Sequence, residues 1–217
     1  MSSATLSQEH ADSDLPPSEP WSNIAEETEA ASFGMWLFLG TEVLFFGGLF
    51  LSYTIARFLY PQDFLEAARH TDIYLGATNT IVLLTSSLTM VVAVRGADLG
   101  ARRLVWICLA ATAALGALFL TIKGFEYWED IREHLVPGRG FAVQGFGATL
   151  FFSLYWIMTS VHAVHLTVGV ILIARLAWLM RSEPLRLPDL PVYGLYWHFV
   201  DTVWIFLFPL LYLAGRA

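Results

Sequence analysis

The 217-residue chain has few charged residues and almost no cysteine. Charged side chains make up 14% of it, against about 25% in an ordinary soluble domain, while hydrophobic residues make up 56%. So small a share of charge excludes an ordinary soluble domain and indicates an integral membrane protein. The lone Cys108 excludes a disulfide within the chain and a metal site built on paired thiolates.

Lysine and arginine are missing from the first 33 residues, which hold seven acidic residues. Those seven acids equal the net charge of −7, because the other 12 acids balance the 12 basic residues. The segment is also rich in serine and proline, so we predict a disordered or surface-lying tail at 1–33 and a membrane domain at 34–217. Residues 21–31 can form a short interfacial helix capped by Ser22. The acidity argues against nucleic acid as a partner.

Five apolar segments are each long enough to cross a hydrocarbon core of about 30 Å. The segments occupy residues 34–59, 72–95, 102–126, 148–180 and 191–214. A backbone in lipid must satisfy its own hydrogen bonds, and no strand-like alternation competes with helix here. The sequence therefore predicts an all-α fold, an integral membrane bundle of five transmembrane helices.

The positive charges between the spans bear on membrane orientation. If the N-terminus is cytoplasmic, the inner loops and the outer loops carry six basic residues each, with Lys123 among the outer ones. The inner loops are much shorter, so their density of positive charge favours a cytoplasmic N-terminus. The count itself is a tie.

Polar residues inside the first two spans need partners, because an unpaired polar group at membrane depth is costly. Glu42 lies about two turns into the first span, where it can pair, stay protonated or join a proton path. Gly40 and Gly47 share a face that would let another helix approach closely. In the second span Asn79 and Ser86 share a face, and we expect them to form hydrogen bonds between helices.

Three histidines fall within the predicted spans. His162 and His165 lie one turn apart at nearly the same depth, which does not suit two b-haems, and a binuclear copper site needs three or more converging imidazoles. We therefore expect hydrogen bonds across helices rather than haem or metal ligation. His198 and Asp201, spaced i and i+3 in the last span, are expected to bond to each other and to fix that helix within the bundle or against a neighbouring subunit. A direct proton-transfer role is the alternative.

An acidic stretch follows the third predicted span. Glu126, Glu129, Asp130 and Glu133 are spaced i, i+3, i+4 and i+7, which places them on one helical face. We expect a solvated face, and the alternative is a docking surface for a basic electron carrier.

Several motifs together resemble subunit III of the haem–copper oxidases, in the form found in cytochrome c oxidase. They occur in the family's order along the chain: residues 34–38 and 41–46 with Glu42, Asn79-Thr80, Glu126-Tyr127, His162-x-x-His165, and residues 196–208 with His198 and Asp201. The commoner form of the family has seven helices, and the present pattern resembles a shorter five-helix bacterial form. The two further helices, which in the family frame a lipid-filled cleft, have no counterpart among the five segments.

The resemblance implies a non-catalytic subunit without its own cofactor, in a complex that reduces dioxygen to water with electrons from cytochrome c and pumps protons. Haem and copper would then sit in subunits I and II. This chain would pack beside subunit I in the bacterial inner membrane, bind phospholipid and sustain proton uptake. The resemblance also makes Glu42 the family's carbodiimide-reactive glutamate. An accessory subunit of a quinol oxidase or nitric oxide reductase remains an alternative, as does a free-standing b-haem membrane cytochrome.

Overall fold

The computed structural model describes residues 24–182 and 190–216. Residues 1–23, most of the predicted tail, lie outside this range. They include Ser22, the proposed cap of the interfacial helix. In the described residues the chain forms six α-helices and a closing π-helical turn. They are α1 (Ile24–Leu59), α2 (Pro61–Ala68), α3 (Ile73–Asp98), α4 (Arg102–Arg132), α5 (Phe146–Ser182), α6 (Leu190–Phe208) and the π-helical turn Pro209–Leu213.

The five long helices coincide with the five predicted spans and confirm the all-α membrane fold. Each is long and apolar enough to cross a bilayer. Most extend further than predicted: α1 begins at Ile24, inside the predicted tail, and α4 continues to Arg132. Helix α5 has 37 residues, or about 55 Å at 1.5 Å per residue, so it is longer than the hydrocarbon core is thick. The short helix α2 was not predicted.

The helices pack as an antiparallel bundle with α1 at its edge. Helices α3 and α4 form a hairpin, α5 packs along α4, and α6 fits against both α3 and α5. Helix α1 touches the bundle mainly through α5 and α6. The hairpin turns at Gly100, whose positive φ of 64° suits glycine. Its N–H bonds to the Ala97 carbonyl and ends α3.

Three helices pack closely around the fully buried Trp197. A Cβ added to Gly116 of α4 would lie 2.7 Å from the Trp197 ring and 2.6 Å from Val170 of α5. On α5, a Cβ added to Gly169 would lie 3.2 Å from the same ring. Glycine at both places lets the three helices close around one large side chain.

The close approach predicted at Gly40 and Gly47 is not found within the described chain. No neighbouring atom lies within 4 Å of a Cβ placed at either glycine. The face of α1 that carries them is turned away from the other described helices, as expected for a helix at the edge of the bundle. Helix α1 also carries some of the most exposed apolar side chains of the described chain, such as Leu44 and Phe58.

Hydroxyl side chains on the outer faces bond to their own helix. Thr54, Thr121 and Thr167 each donate to the carbonyl four residues earlier, at 2.7–2.8 Å. Such bonds satisfy a hydroxyl in lipid without a partner helix. Polar side chains that instead reach a second helix are concentrated inside the bundle, and they define the candidate site.

One end of the bundle is closed by several side-chain contacts. Asp63 of α2 accepts a bond from the Gly147 N–H at 3.0 Å, and so caps the start of α5 with a negative charge. The Tyr53 hydroxyl donates to the Leu210 carbonyl. Arg216 donates to the Thr71 carbonyl at 2.8 Å. The end of α4 meets the chain terminus at this end of the molecule.

Candidate functional site

Glu42 and His165 form a polar bridge between α1 and α5. His165 Nε2 lies 3.0 Å from Glu42 Oε2, and its Nδ1 lies 2.9 Å from the Val161 carbonyl oxygen. The Tyr196 hydroxyl of α6 donates to the His165 carbonyl at 2.9 Å. Three helices therefore meet at this histidine. The hydrogen bond across helices predicted for His165 is confirmed, and its partner is Glu42.

The proton content of this bridge follows from its geometry. A carbonyl oxygen can only accept, so Nδ1 of His165 carries a proton and donates to Val161. The bond between Nε2 and Glu42 then contains one further proton. Either a neutral Glu42 acid donates to a neutral imidazole, or an imidazolium donates to the carboxylate. Both side chains are largely shielded, at 17% exposed for Glu42 and 20% for His165.

His198 and Asp201 do not bond to each other, so the predicted pair is wrong. His198 Nδ1 instead lies 2.8 Å from the Ser87 hydroxyl of α3. Asp201 is 4% exposed; Ser87 is a polar neighbour on α3, but neither carboxyl oxygen makes a hydrogen bond of ordinary geometry in the described structure. The spacing i, i+3 only permits contact along one helix. The rotation of α6 against α3 brings His198 to a better partner on the neighbouring helix.

Asn79 and His162 are buried without the hydrogen bonds predicted for them. Both polar atoms of the Asn79 amide and both ring nitrogens of His162 lack a partner among the described residues. The His162 ring lies between aromatic rings, 5.7 Å from that of Phe119 and 5.2 Å from that of Trp204. The hydrogen bonds of α3 to other helices come from other positions: Trp204 donates to Thr80 at 3.1 Å.

Ser86 and Thr89 provide the remaining cross-helix bonds of α3. Trp197 Nε1 donates to the Ser86 hydroxyl at 3.2 Å, and Thr89 and Thr112 share a hydroxyl pair at 2.7 Å. The prediction that the polar face of the second span binds other helices is therefore confirmed for Ser86 and wrong for Asn79. No three His, Cys, Asp or Glu side chains of the described part of the chain are grouped so that they could hold a metal ion.

A second polar centre lies at the closed end of the bundle and was not predicted. We name it the Lys123 cluster; it consists of Lys123, Glu126 and Asp130 of α4, Tyr155 of α5 and Tyr212 of the π-helical turn. Lys123 Nζ lies 3.1 Å from Glu126 Oε1, 3.0 Å from the Tyr155 hydroxyl and 2.6 Å from the Tyr212 hydroxyl. Tyr155 also contacts Asp130 Oδ2 at 2.8 Å.

This cluster corrects two predictions about the end of α4. Lys123 is not a loop residue: it is 2% exposed, inside the helix. Glu126 and Asp130 are buried as well, so the acidic stretch is not one solvated face; Glu133, just past the helix, is exposed. The sequence did contain a signal for this cluster: a lysine among apolar residues, with acids three and seven positions after it. The two tyrosines come from distant segments, and no local pattern marks them.

Comparison with known proteins places these features in a family. A family model described as cytochrome c oxidase subunit III matches residues 24–216. Cytochrome c oxidase subunit 3 of Thermostichus vulcanus is 32% identical over 199 residues, 88% of this chain and 90% of that protein. Its counterpart in Bacillus sp. (strain PS3) is 29% identical over 216 residues, 93% of this chain and 94% of that protein. The heme-copper oxidase subunit I+III of Aeropyrum pernix is 31% identical over 189 residues, 83% of this chain and 22% of that protein.

The fold and its internal contacts are those of a multi-pass helical membrane protein in which ionisable side chains bond between helices. The family match extends over all five long helices and gives a narrower assignment. The chain belongs to the cytochrome c oxidase subunit III family.

Proposed function

We propose that this chain is a cofactor-free accessory subunit of a bacterial aerobic terminal oxidase, located in the inner membrane. The complex would reduce dioxygen to water with electrons from cytochrome c and pump protons. The observation that carries the proposal is the family match over residues 24–216, which takes in every long helix. The chain's own residues would stabilise the complex and bind lipid, and would not touch the reacting oxygen.

Haem and copper would belong to partner subunits I and II. The contacts of the histidines in α5 and α6 support this division. Both ring nitrogens of His165 are engaged by Glu42 and the Val161 carbonyl, and Nδ1 of His198 is engaged by Ser87. The His162 ring is enclosed by aromatic rings. None of these arrangements suits a pair of axial ligands.

Subunit I is the partner that we propose for direct packing. The relative in Aeropyrum pernix is named as a fusion of subunits I and III, so the two are covalently joined in that protein. In the present chain, α1 offers the most extensive apolar surface that no described helix covers. We propose that phospholipid and subunit I share the outer surface of the bundle, and that the chain sustains proton uptake and protects subunit I during turnover.

The N-terminus would lie on the cytoplasmic side. Once the buried Lys123 is removed from the count, the outer loops retain five basic residues against six for the inner ones. Arg69 and Arg216 line one pocket at the proposed outer end, and Arg102 donates to the Met180 carbonyl at the proposed inner end. The count now agrees with the charge density, and both favour the same orientation.

The test is purification of the chain, with an affinity tag, from its native membrane in mild detergent. We expect two larger subunits, haem and copper to copurify, and the preparation to oxidise reduced cytochrome c with oxygen uptake. Oxidation of quinol instead, or reduction of nitric oxide, would replace the proposed partner by one of the alternatives. Haem retained in stoichiometric amount by the chain after removal of all partners would refute the cofactor-free assignment.

A strain without this chain separates support from catalysis. We expect the remaining oxidase to start at a near-normal rate, to lose activity progressively during turnover and to pump fewer protons per electron. A strain that expresses the Ser153→Ala variant is a suitable control, because that half-buried hydroxyl bonds only to the carbonyl one turn earlier in its own helix. Complete loss of oxygen reduction with normally assembled partners would indicate a direct part in the chemistry.

A further inference from the structure

The Lys123 cluster contains more short contacts than its phenols and ammonium can supply with protons. The Tyr155 oxygen lies 2.9 Å from Glu126 Oε1 and 2.8 Å from Asp130 Oδ2. A phenol carries one proton and can make a short, linear hydrogen bond to one of these oxygens at a time. The Lys123 ammonium only donates, and it already points at the Tyr155 oxygen at 3.0 Å. The second oxygen–oxygen contact therefore needs a proton that a carboxyl group provides.

Asp130 is the better place for this proton. Glu126 Oε1 already accepts from Lys123 at 3.1 Å and from the Tyr212 hydroxyl at 2.5 Å, as expected of an ionised carboxylate. Asp130 can then donate to the Tyr155 oxygen, whose own proton goes to Glu126. In this arrangement the ammonium balances one carboxylate, and the buried group as a whole is neutral. With both acids ionised it would carry a net negative charge away from water.

The cluster has an opening to the aqueous phase. Glu126 and Asp130 both line a pocket of about 420 Å³ at the closed end of the bundle. Glu126 is 2% exposed, and its Oε2 atom has no hydrogen-bond partner in the described residues. The other charged and titratable groups that face the pocket are Arg69, His70 and Asp72 before α3, Tyr74 in its first turn, Glu129 on α4, Glu133 just past that helix, and Arg216 near the chain terminus.

We propose that the Lys123 cluster is a proton-binding site, which holds one exchangeable proton on Asp130 and exchanges it with water through this pocket. On release, the proton passes from Asp130 to water or buffer in the pocket, and the Tyr155 hydroxyl turns from Glu126 to the new Asp130 carboxylate. The net charge of the cluster changes from zero to minus one. The O–H bond of Asp130 is the only covalent bond of the cluster that breaks. The site goes beyond the proposed function, since it does not depend on which reductase the chain accompanies.

The experiment is infrared spectroscopy of the full-length chain, with the subunits that accompany it, in lipid nanodiscs. The carbonyl stretch of a protonated carboxyl group is separate from that of a carboxylate. We expect the spectrum of the wild type minus that of Asp130→Asn to contain one such band, which shifts in D2O and disappears at alkaline pH. The asparagine amide can still donate to Tyr155, so the variant should fold. Glu133→Gln, an exposed change in the same pocket, should leave the band in place.

Carbonyl-13C labelling of aspartate gives a second readout, applied in an Asp201→Asn background because Asp201 is itself expected to be a neutral acid. The titrating band should move in the aspartate-labelled protein and stay in the glutamate-labelled one. Loss of the band in Glu126→Gln but not in Asp130→Asn would overturn the assignment. A wild type without a titrating carboxyl band, or a band that D2O does not reach, would overturn the site itself. The readout requires no turnover, so it is independent of the outcome for the proposed function.

Discussion

Replacement of Lys123 by methionine should destabilise the chain more than loss of any exposed charge. The ammonium lies within 3.1 Å of three oxygens and is 2% exposed. Methionine keeps the length and packing of the side chain, but it leaves the Glu126 carboxylate buried without its cation. Removal of one partner of a buried ion pair costs about 3–5 kcal/mol.

The magnitude can be read from thermal unfolding. On the scale of soluble domains of about 200 residues, such a loss lowers the melting temperature by roughly 6–20 °C. The assay is tryptophan fluorescence of the purified protein in lipid nanodiscs; Trp204 lies 5.9 Å from the Lys123 ammonium. Arg103→Met, an exposed change near the other end of α4, is the matched control, with an expected effect within about 0.5 kcal/mol.

A double variant separates electrostatics from packing. Lys123→Met with Glu126→Gln removes both charges and leaves an amide that can still accept from the two tyrosines. We expect it to recover more than half of the lost stability, because the energies of paired residues are not additive. A single variant that melts within 2 °C of the wild type, or a double variant no more stable than the single one, would refute the ion-pair argument.

Two further predictions concern α1 and the packing around Trp197. A membrane-permeant carbodiimide should label Glu42 in preference to the exposed Glu133, because the reagent attacks a protonated acid and the bridge to His165 can hold Glu42 in that form. If labelling of Glu42 appears only in the His165→Gln variant, Glu42 and His165 form an ion pair instead. Gly116→Ala should cost about 1–3 kcal/mol through overpacking, as its Cβ would lie 2.6 Å from Val170, whereas Gly124→Ala on the same helix meets no atom within 4 Å and should be neutral or stabilising in thermal unfolding.

The spans were predictable because every segment that crosses a bilayer must be long and apolar enough by itself. Length and apolar composition can be read within each segment, so hydropathy found all five long helices. The ends were less certain. Helix α4 extends past Glu126 because Lys123, Glu126 and Asp130 find partners inside the protein and need not mark the start of a loop.

The partners of the buried polar residues were harder to predict, because they depend on how helices rotate against each other. His165 was expected to bond across helices, but nothing in its own segment pointed to Glu42, which is 123 positions away. His198 was assigned the nearest acid along its own helix, whereas the structure gives it Ser87 of α3. Tyr155 and Tyr212 were counted as part of the apolar pattern. Their hydroxyls acquire a role only once α4, α5 and the terminal turn are brought together.

The sequence interpretation and the structure lead to different predictions for Asp201. A pair with His198 would make Asp201→Leu disruptive, since the histidine would lose its partner. In the structure His198 bonds to Ser87 at 2.8 Å, and Asp201, although it neighbours the same serine, makes no hydrogen bond of ordinary geometry among the described residues. An ionised carboxylate in that setting would cost several kcal/mol, so Asp201 should be a neutral acid.

It follows that Asp201→Asn and Asp201→Leu should both retain the fold, and that Asp201→Leu should melt within a few degrees of the wild type. Ser87→Ala is the matched variant, because it leaves the His198 ring without its bond and should cost about 1–3 kcal/mol. Thermal unfolding and subunit retention of the three variants decide the matter. If Asp201→Leu is more damaging than Ser87→Ala, the carboxyl makes an essential contact and the neutral-acid argument is wrong.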